Sequence, residues 1–408
     1  MHILVLDTIH GGSEIGEAFA RNGYTVDRVD VYRGSTPDVA ERATQKKYDL
    51  IVAPVHLDPA HSLLAGRTAS ERVISHHEAV LQLLNGRVPH PMIEITGAQG
   101  KTTTAHALAH LLPGLGVLHT STGTYEMPAR KVLMKKSITP ASVLAAAEKA
   151  MSLNGWLVAE ESLGVTGAGD LAIITSPSDY RCAAGKKSAL AEKIASAKKS
   201  RHLLLAPGIP DVADENAVHM EDVACISGTT CTIKRGNHTA SFTNPLLLLP
   251  GYRVPLALAG TAAVILGYDP ALLTSFPGVT GRMSVKKYKN ILIVDNANSG
   301  TTAETTIEAA QYARACAGSP GITLVIGTVK GDGAVCEGFP YEQIVSAIRT
   351  IRPRLVIWVG ESPKREGEIR SSVPLKIDAV CQTLKEAEHC ALERTTTGAI
   401  VLAVKTWR

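Results

Sequence analysis

The sequence predicts an α/β protein of three domains, and three observations carry that expectation. Short apolar segments alternate with helical ones, the pattern of parallel sheets joined by crossover helices. Residues 91–112, PMIEITGAQGKTTTAHALAHLL, read as strand, glycine-rich turn and helix. From Phe276 a second alternation of strands and helices begins. The expected domains are a Rossmann-like N-terminal domain (residues 1–88), a central P-loop domain (89–281) and a C-terminal Rossmann-like, doubly wound domain (282–408).

The chain has 408 residues, too many for one core and suited to two or three domains of ordinary size. The formal charge of +4 is small for this length, and no dense Lys/Arg run is interleaved with aromatics, so nucleic acid is not an expected partner. The cluster Arg130-Lys131 and Lys135-Lys136 could face an acidic substrate, although a solvated surface is the plainer reading. Seven cysteines occur without a C-x-x-C pair, which points to reduced thiols and a cytoplasmic protein. MHILVLDTIHGG enters a strand directly, with no basic n-region or cleavage site. The longest apolar run, residues 256–267, is too short to span a bilayer and reads as a buried helix, so no membrane association is expected.

In chain order, residues 2–7 form an apolar strand, Gly11-Gly12 a turn, and Ser13 an N-cap for a helix to Arg21 ended by Asn22-Gly23. Strands follow at residues 24–31 and 48–55, with a polar helix between them. Gly11-Gly12 is a weak cofactor signal because G-x-G-x-x-G is absent. Ligands in such folds bind beyond the carboxyl ends of the strands, which places His10 and His56 at a binding edge. A helix over 75–84 and Asn85-Gly86 lead through Pro89 and Pro91 into the central stretch.

There Met92, Ile93 and Ile95 make a strand, and Gly97-Ala98-Gln99-Gly100-Lys101-Thr102-Thr103 makes the turn. Backbone N–H groups of such a turn and the positive end of the following helix point at one anion. Lys101 can reach outer phosphates, and the Thr102 hydroxyl can coordinate magnesium. The expected ligands are therefore a nucleoside triphosphate and Mg2+. After a strand near Val117 comes the hydroxyl-rich turn Thr120-Ser121-Thr122-Gly123-Thr124. Residues 156–161 then form a strand ending in Glu160-Glu161. A carboxylate at that end holds magnesium in such folds, and adjacent strand residues point oppositely, so one of the two faces the metal; Glu160 is chosen. His106 and His110 are four apart on a helix but lack a third zinc ligand. Further strands read at residues 171–175, 203–205, 223–226 and 231–233, then at 291–295, 323–327, 355–360 and 399–404.

The order of these features resembles the Mur ligase family, which joins a carboxylate to an acceptor using ATP, and implies its three-domain architecture. Gly97 to Thr103 is similar to the family's GxxGKTT loop. Thr139-Pro140 stands where the family has a Thr-Thr-Pro turn, and Glu160 where it has a magnesium glutamate. Residues 175–180 resemble its Thr-Asn-x-x-x-Asp-His segment, and Gly185 and Lys193 keep the spacing of its glycine and carbamylated lysine. Residues 276–283 resemble the Gly-Val-x-Gly-Arg-Met signature opening its third domain, and Ile293-Val294-Asp295 its Asp-Tyr-Ala-His strand. On this resemblance Thr102 and Glu160 hold magnesium, and Lys193 positions a second metal if carbamylated. Arg282 reaches the γ-phosphate once the third domain closes, and Asp295 contacts the nucleotide. The chain departs from the family at Tyr180, a histidine there; at Gly251-Tyr252-Arg253, a Gly-His-Asn there; at Leu256, an asparagine there; and at Asn296-Ala297-Asn298.

These losses, the compact length and Leu6-Asp7-Thr8-Ile9-His10-Gly11-Gly12 resemble a divergent methanogen branch of the family that acts in coenzyme F-430 biosynthesis. That resemblance implies a nickel tetrapyrrole acid as substrate. Its propionate would be activated as an acyl phosphate, and a ring carbon would then close a six-membered carbocycle. The carbon acid needs a base, for which His10, His56, His119 and Tyr125 are candidates by location. An amide-forming ligase and a nucleotide-dependent regulatory module are the competing readings.

Overall fold

The computed structural model describes residues 1–406 apart from 34–36, 66, 68–70, 299, 319–320, 330–338 and 362–375. The chain divides into two compact units, Met1–Leu247 with Tyr252–Ser275, and Leu248–Gly251 with Phe276–Arg408.

The first unit holds two parallel sheets. The smaller has strand order Thr25–Val29, His2–Leu6, Leu50–Ala53, Arg72–Ser75. Its first strand sits between the second and the third, so the chain leaves to opposite sides and opens a crevice at the carboxyl ends. The larger sheet has eight strands: Ala217–His219, His202–Leu205, Leu171–Ile174, Met92–Thr96, Trp156–Glu160, Gly116–Thr120, Gly123–Met127 and Lys131–Met134. Its first six are parallel and its last two form an antiparallel margin. Every residue of Met92–Thr96 and Trp156–Glu160 is buried, as expected of strands covered on both faces.

One apolar core joins the two sheets. Ile3 and Val5 of the small sheet and Val117, Leu157 and Ala159 of the large one belong to the same buried cluster. The helices His76–Leu84 and Pro140–Ser152 contribute Val80 and Leu83, and Val143 and Ala147, between them. Ser75 caps the first of these by accepting from Glu78 N while the Glu78 carboxylate accepts from Ser75 N, a reciprocal capping box. Burial of this continuous apolar surface locks the ends of both sheets in one body.

The second unit carries a six-stranded sheet ordered Ser284–Tyr288, Ile291–Asp295, Gly398–Lys405, Ile322–Thr328, Leu355–Val359, Ala379–Cys381. Its first pair is antiparallel and the rest are parallel. No helix among the described residues is long and apolar enough to cross a membrane.

Several elements differ from the sequence expectation. The helix expected to start from a Ser13 cap does run Ser13–Arg21, but Ser13 is its first residue and a one-turn π-helix, Thr8–Gly12, leads into it. The buried helix expected from residue 256 begins earlier and spans Pro250–Ile265 with Pro255 inside it. Gly123 and Thr124 belong to the hairpin Gly116–Thr120/Gly123–Met127, so only Ser121 and Thr122 turn. The edge strands Arg72–Ser75, Lys131–Met134 and His238–Thr243 carry mixed or polar side chains and gave no apolar run to read.

Candidate functional site

The stretch 97–103 lies between Met92–Thr96, at the centre of the large sheet, and the helix Lys101–Leu111. Gly97 has φ 147° and Gly100 φ 83°, conformations that side-chain-bearing residues rarely adopt. Space forbids a side chain at Gly97, where a Cβ would stand 2.2 Å from Thr175 Oγ1, and is tight at Gly100, where one would stand 3.3 Å from Pro255 Cγ. Ala98 N and Gln99 N donate to Ser176 Oγ at 3.2 and 3.4 Å, and Thr175 Oγ1 donates to the Gln99 and Thr96 carbonyls. Thr175-Ser176 therefore buttresses the turn from the neighbouring strand end. The first-turn N–H groups of Lys101–Leu111 have no intrahelical acceptors and suit an anion.

Three charged or polar side chains converge beside that turn. Thr102 Oγ1 donates to Glu160 Oε2 at 2.8 Å, and Ser121 N donates to the same oxygen at 3.1 Å. Lys101 Nζ lies 3.0 Å from the Gly97 carbonyl and 3.8 Å from Glu160 Oε1. Two buried hard oxygens, Thr102 Oγ1 and Glu160, thus meet at one point, a donor set that fits a magnesium ion. Glu161 points away, as strand alternation requires. It is fully buried, and burial, reinforced by the Glu94 charge, pushes its carboxyl well above the usual range. Glu94 itself accepts from the Thr166, Gly167 and Gly169 N–H groups and from the Thr166 hydroxyl.

Lys193, on the helix Ala189–Ala197, is 1 % exposed, and its ammonium finds no hydrogen-bond partner among the described residues. It lies 4.8 Å from the centre of the Tyr180 ring. Burial, aided by the charge of Lys101, lowers its pKa and favours the free amine, the form that reacts with carbon dioxide to give a carbamate. Asp179 accepts from Tyr180 N, Leu190 N and Ser188 Oγ and so holds the turn that carries Tyr180.

The sequence candidates for the base separate into two groups. His10 and His56 come together, ring centres 5.2 Å apart and edge to face, at the crevice of the small sheet. Tyr32 stacks on His56 at 5.3 Å. His119 is instead wholly buried in the large sheet, where its Nδ1 meets Thr124 Oγ1 at 2.7 Å and burial lowers its pKa to about 4. Tyr125 spends its hydroxyl on the Thr122 carbonyl at 2.7 Å. The pair His106 and His110 is likewise engaged elsewhere, with Arg130 and with Ser275.

Around His10 and His56 lies a cleft of about 230 Å³, lined also by His76, His77, Thr139, Pro140, Ser162 and Leu163. A second cleft of about 580 Å³ shares Pro54, Val55, His77 and Leu163 with it, making one extended depression. Ser162 and Leu163 follow directly on Glu160-Glu161, so the depression adjoins the strand end that carries Glu160.

Sequence reasoning missed Asp7, Ser121 and Ser176. Asp7 was legible as a D-x-x-H sequence at a strand end, whereas Ser121 and Ser176 act through long-range contacts that no local pattern announces. In the second unit, Asp295 ends the strand Ile291–Asp295, is buried and accepts from Ala297 N at 3.1 Å. Asn298 Nδ2 donates to the Gly281 carbonyl and to Asn296, which ties this strand end to the turn carrying Arg282.

The family profile described as coenzyme F430 synthetase CfbE, C-terminal domain, matches residues 285–406. A coenzyme F(430) synthetase of Methanosarcina acetivorans is 30 % identical, the match covering 88 % of this chain and 90 % of the relative. A second, of Methanocaldococcus jannaschii, is 23 % identical over 48 % of this chain and 50 % of the relative. Among solved structures, UDP-N-acetylmuramoyl-L-alanyl-D-glutamate–2,6-diaminopimelate ligase is similar with TM-score 0.55 and 16 % identity, covering 100 % of this chain and 86 % of that one. A bifunctional folylpolyglutamate synthase/dihydrofolate synthase is similar with TM-score 0.52 and 16 % identity, covering 81 % and 90 %. At that identity the likeness establishes the fold, which is the three-domain Mur ligase fold. The chain belongs to the coenzyme F430 synthetase family of ligases.

Proposed function

We propose that the chain is an ATP-dependent, ADP-forming ligase that activates a propionate carboxylate of a nickel seco-tetrapyrrole as an acyl phosphate and closes a carbocyclic ring, giving coenzyme F-430. The observation that carries the ATP-dependent step is the convergence of Thr102 Oγ1 and Glu160 Oε2 at 2.8 Å beside Lys101, on a turn where Gly97 has no room for a side chain. The substrate class is supported by the family and by the extended depression next to that strand end.

A carboxylate resists nucleophiles because its charge is delocalised, so it must exchange an oxygen's charge for a leaving group. Phosphoryl transfer asks for positioning and charge neutralisation more than for covalent help. The turn 97–103 holds the phosphates through N–H groups, Lys101 follows the terminal phosphate as a mobile cation, and Thr102 and Glu160 orient the metal. Magnesium, when bound there, supplies neutralisation of phosphate charge. Lys193, as a carbamate, would turn a buried cation into an anion facing the same region. The roles expected of Arg282 and Asp295 belong to the same proposal. Localisation in the cytoplasm, with no nucleic acid and no membrane partner, accords with it.

Product analysis tests this reading. With ATP, magnesium and the tetrapyrrole acid but no amine, the expected product is the acid less one water, with one ADP for each ring closed. A requirement for ammonia or an amino acid would establish an amide-forming ligase instead. ATP binding with no acid-dependent turnover would establish a regulatory module.

A further inference from the structure

The crevice of the small sheet contains a built hydrogen-bond device that phosphate activation does not use. Asp7 follows the strand His2–Leu6, is fully buried and has φ 73°, a strained conformation for a residue with a side chain. Its Oδ1 accepts from Ile9 N at 2.9 Å and from His10 N at 3.2 Å, and its Oδ2 accepts from His10 Nδ1 at 2.7 Å. An ionised carboxylate can only accept, so His10 Nδ1 carries the proton and Nε2 keeps its lone pair. The His10 side chain is 47 % exposed, at the cleft. Single donor atoms of Asp7, His10 and His56 lie within 4.8 Å of one another, a spacing a cation could use. The Asp7 carboxylate is already committed to three N–H groups, however, and what the loop builds is an oriented imidazole.

Two other histidines of the cleft are set back by burial, His76 at 2 % and His77 at 4 % exposure. His76 Nε2 donates to the Leu6 carbonyl and His77 Nε2 to the Ser162 carbonyl, both deep in the core. His56 and Tyr32 face His10 edge-on and fix its ring plane. The position of the loop is equally constrained. A Cβ on Gly12 would stand 1.8 Å from the Asp7 carbonyl oxygen; one on Gly11 would stand 2.6 Å from Ala141 Cβ and 3.1 Å from Thr139 Oγ1. The two glycines thus seat His10 against the Thr139-Pro140 turn, and Ser162, whose N–H donates to the Ile138 carbonyl, lines the same cleft.

We propose that His10 is the catalytic base of ring closure and Asp7 its positioning residue. The inference rests on the cyclase reading above. His10 Nε2 takes the proton of the attacking carbon, and the electron pair of that C–H bond forms the new C–C bond to the acyl carbon. The acyl C–O bond to phosphate breaks, inorganic phosphate leaves with those electrons, and the imidazolium returns its proton to solvent.

The test separates activation from closure by trapping the acyl phosphate with hydroxylamine, in the full chain with Mg-ATP and the tetrapyrrole acid. In His10→Ala the ratio of ring closed to hydroxamate formed falls about 10²- to 10⁴-fold, and added imidazole restores part of it. In Asp7→Asn the kcat of closure falls about 10²-fold with the KM for the acid unchanged, the signature of lost orientation. An unchanged ratio in His10→Ala overturns the dyad alone. Parallel loss of closure and hydroxamate in both variants also overturns it, making the loop structural. A wild-type protein that yields hydroxamate but never closes a ring overturns the cyclase reading, and the dyad with it.

Discussion

Two loops of the first unit occupy the same structural position and do opposite things with it. Each leaves the carboxyl end of a central strand and enters a helix, and each contains two glycines set by crowding or by a positive φ. At residues 97–103 no side chain of the loop caps the helix, and Lys101 stands beside its N-terminus, so the positive end remains available for an anion. At residues 7–12 the Asp7 carboxylate folds back onto the N–H groups of Ile9 and His10. The same carboxylate accepts from His10 Nδ1 and so orients an imidazole. One backbone plan thus carries two different side-chain sets, and the residue after the strand differs between them, Gly97 in one and Asp7 in the other.

The largest expected effect breaks the first loop at its cation. Lys101→Ala lowers ADP formation by about 10³-fold or more while circular dichroism and the melting transition keep the wild-type form. Turnover at the wild-type rate would remove the turn from the mechanism. A pair of alanine substitutions then sharpens the contrast. Gly97→Ala forces a strained φ against Thr175, at a cost of about 1–3 kcal/mol, and weakens ATP binding about 10- to 100-fold in calorimetry. Gly12→Ala has an ordinary φ of −64° and fails only by its clash with Asp7, so it lowers ring closure and spares ATP affinity. Equal loss of ATP affinity in both would erase the distinction between the loops.

A smaller effect falls on the metal. Glu160→Gln keeps the hydrogen bond from Ser121 but loses the charge, and raises the magnesium concentration for half-maximal ADP formation about tenfold. An unchanged magnesium titration would take Glu160 out of the site.

The smallest effect concerns stability. Burial holds the pKa of His76 down to about 4 and that of His77 to about 3, against 6.5 for the free side chain. Both are neutral in the folded protein, so the unfolded chain binds more protons below pH 6.5. Their contribution is complete above 6.5 and is lost as pH falls towards those folded values, at up to about 1.4 kcal/mol per pH unit for each. Denaturant unfolding at several pH values would show a flatter acid limb in the variant carrying both His76→Gln and His77→Gln. An identical limb would assign the acid loss to other groups.

The central site was more legible than the N-terminal one for a physical reason. A phosphate cradle needs glycines, lysine and threonine within seven adjacent residues, so its chemistry is written locally. Glu160 was also readable, because a strand's alternation forces one of two adjacent carboxylates towards the turn, and the other, Glu161, towards Glu94. The crevice at His10 is assembled from three separate strand ends and the Thr139 turn, and only the fold shows that His10 meets His56 while His119 does not join them. Asp7 was passed over because an aspartate after a strand ordinarily ends it or caps a turn, and here it does both while orienting a histidine. The long parallel strands were plain from their apolar runs, whereas the polar edge strands depend on pairing that composition does not record.

In the proposed reaction the terminal phosphate of ATP is carried by the substrate's own carboxylate. The most direct measurement uses a tetrapyrrole acid labelled with oxygen-18 in its propionate, turned over with ATP and magnesium. One labelled oxygen is expected in the inorganic phosphate released for each ring closed. Phosphate free of label, formed at the rate of ring closure, would contradict it.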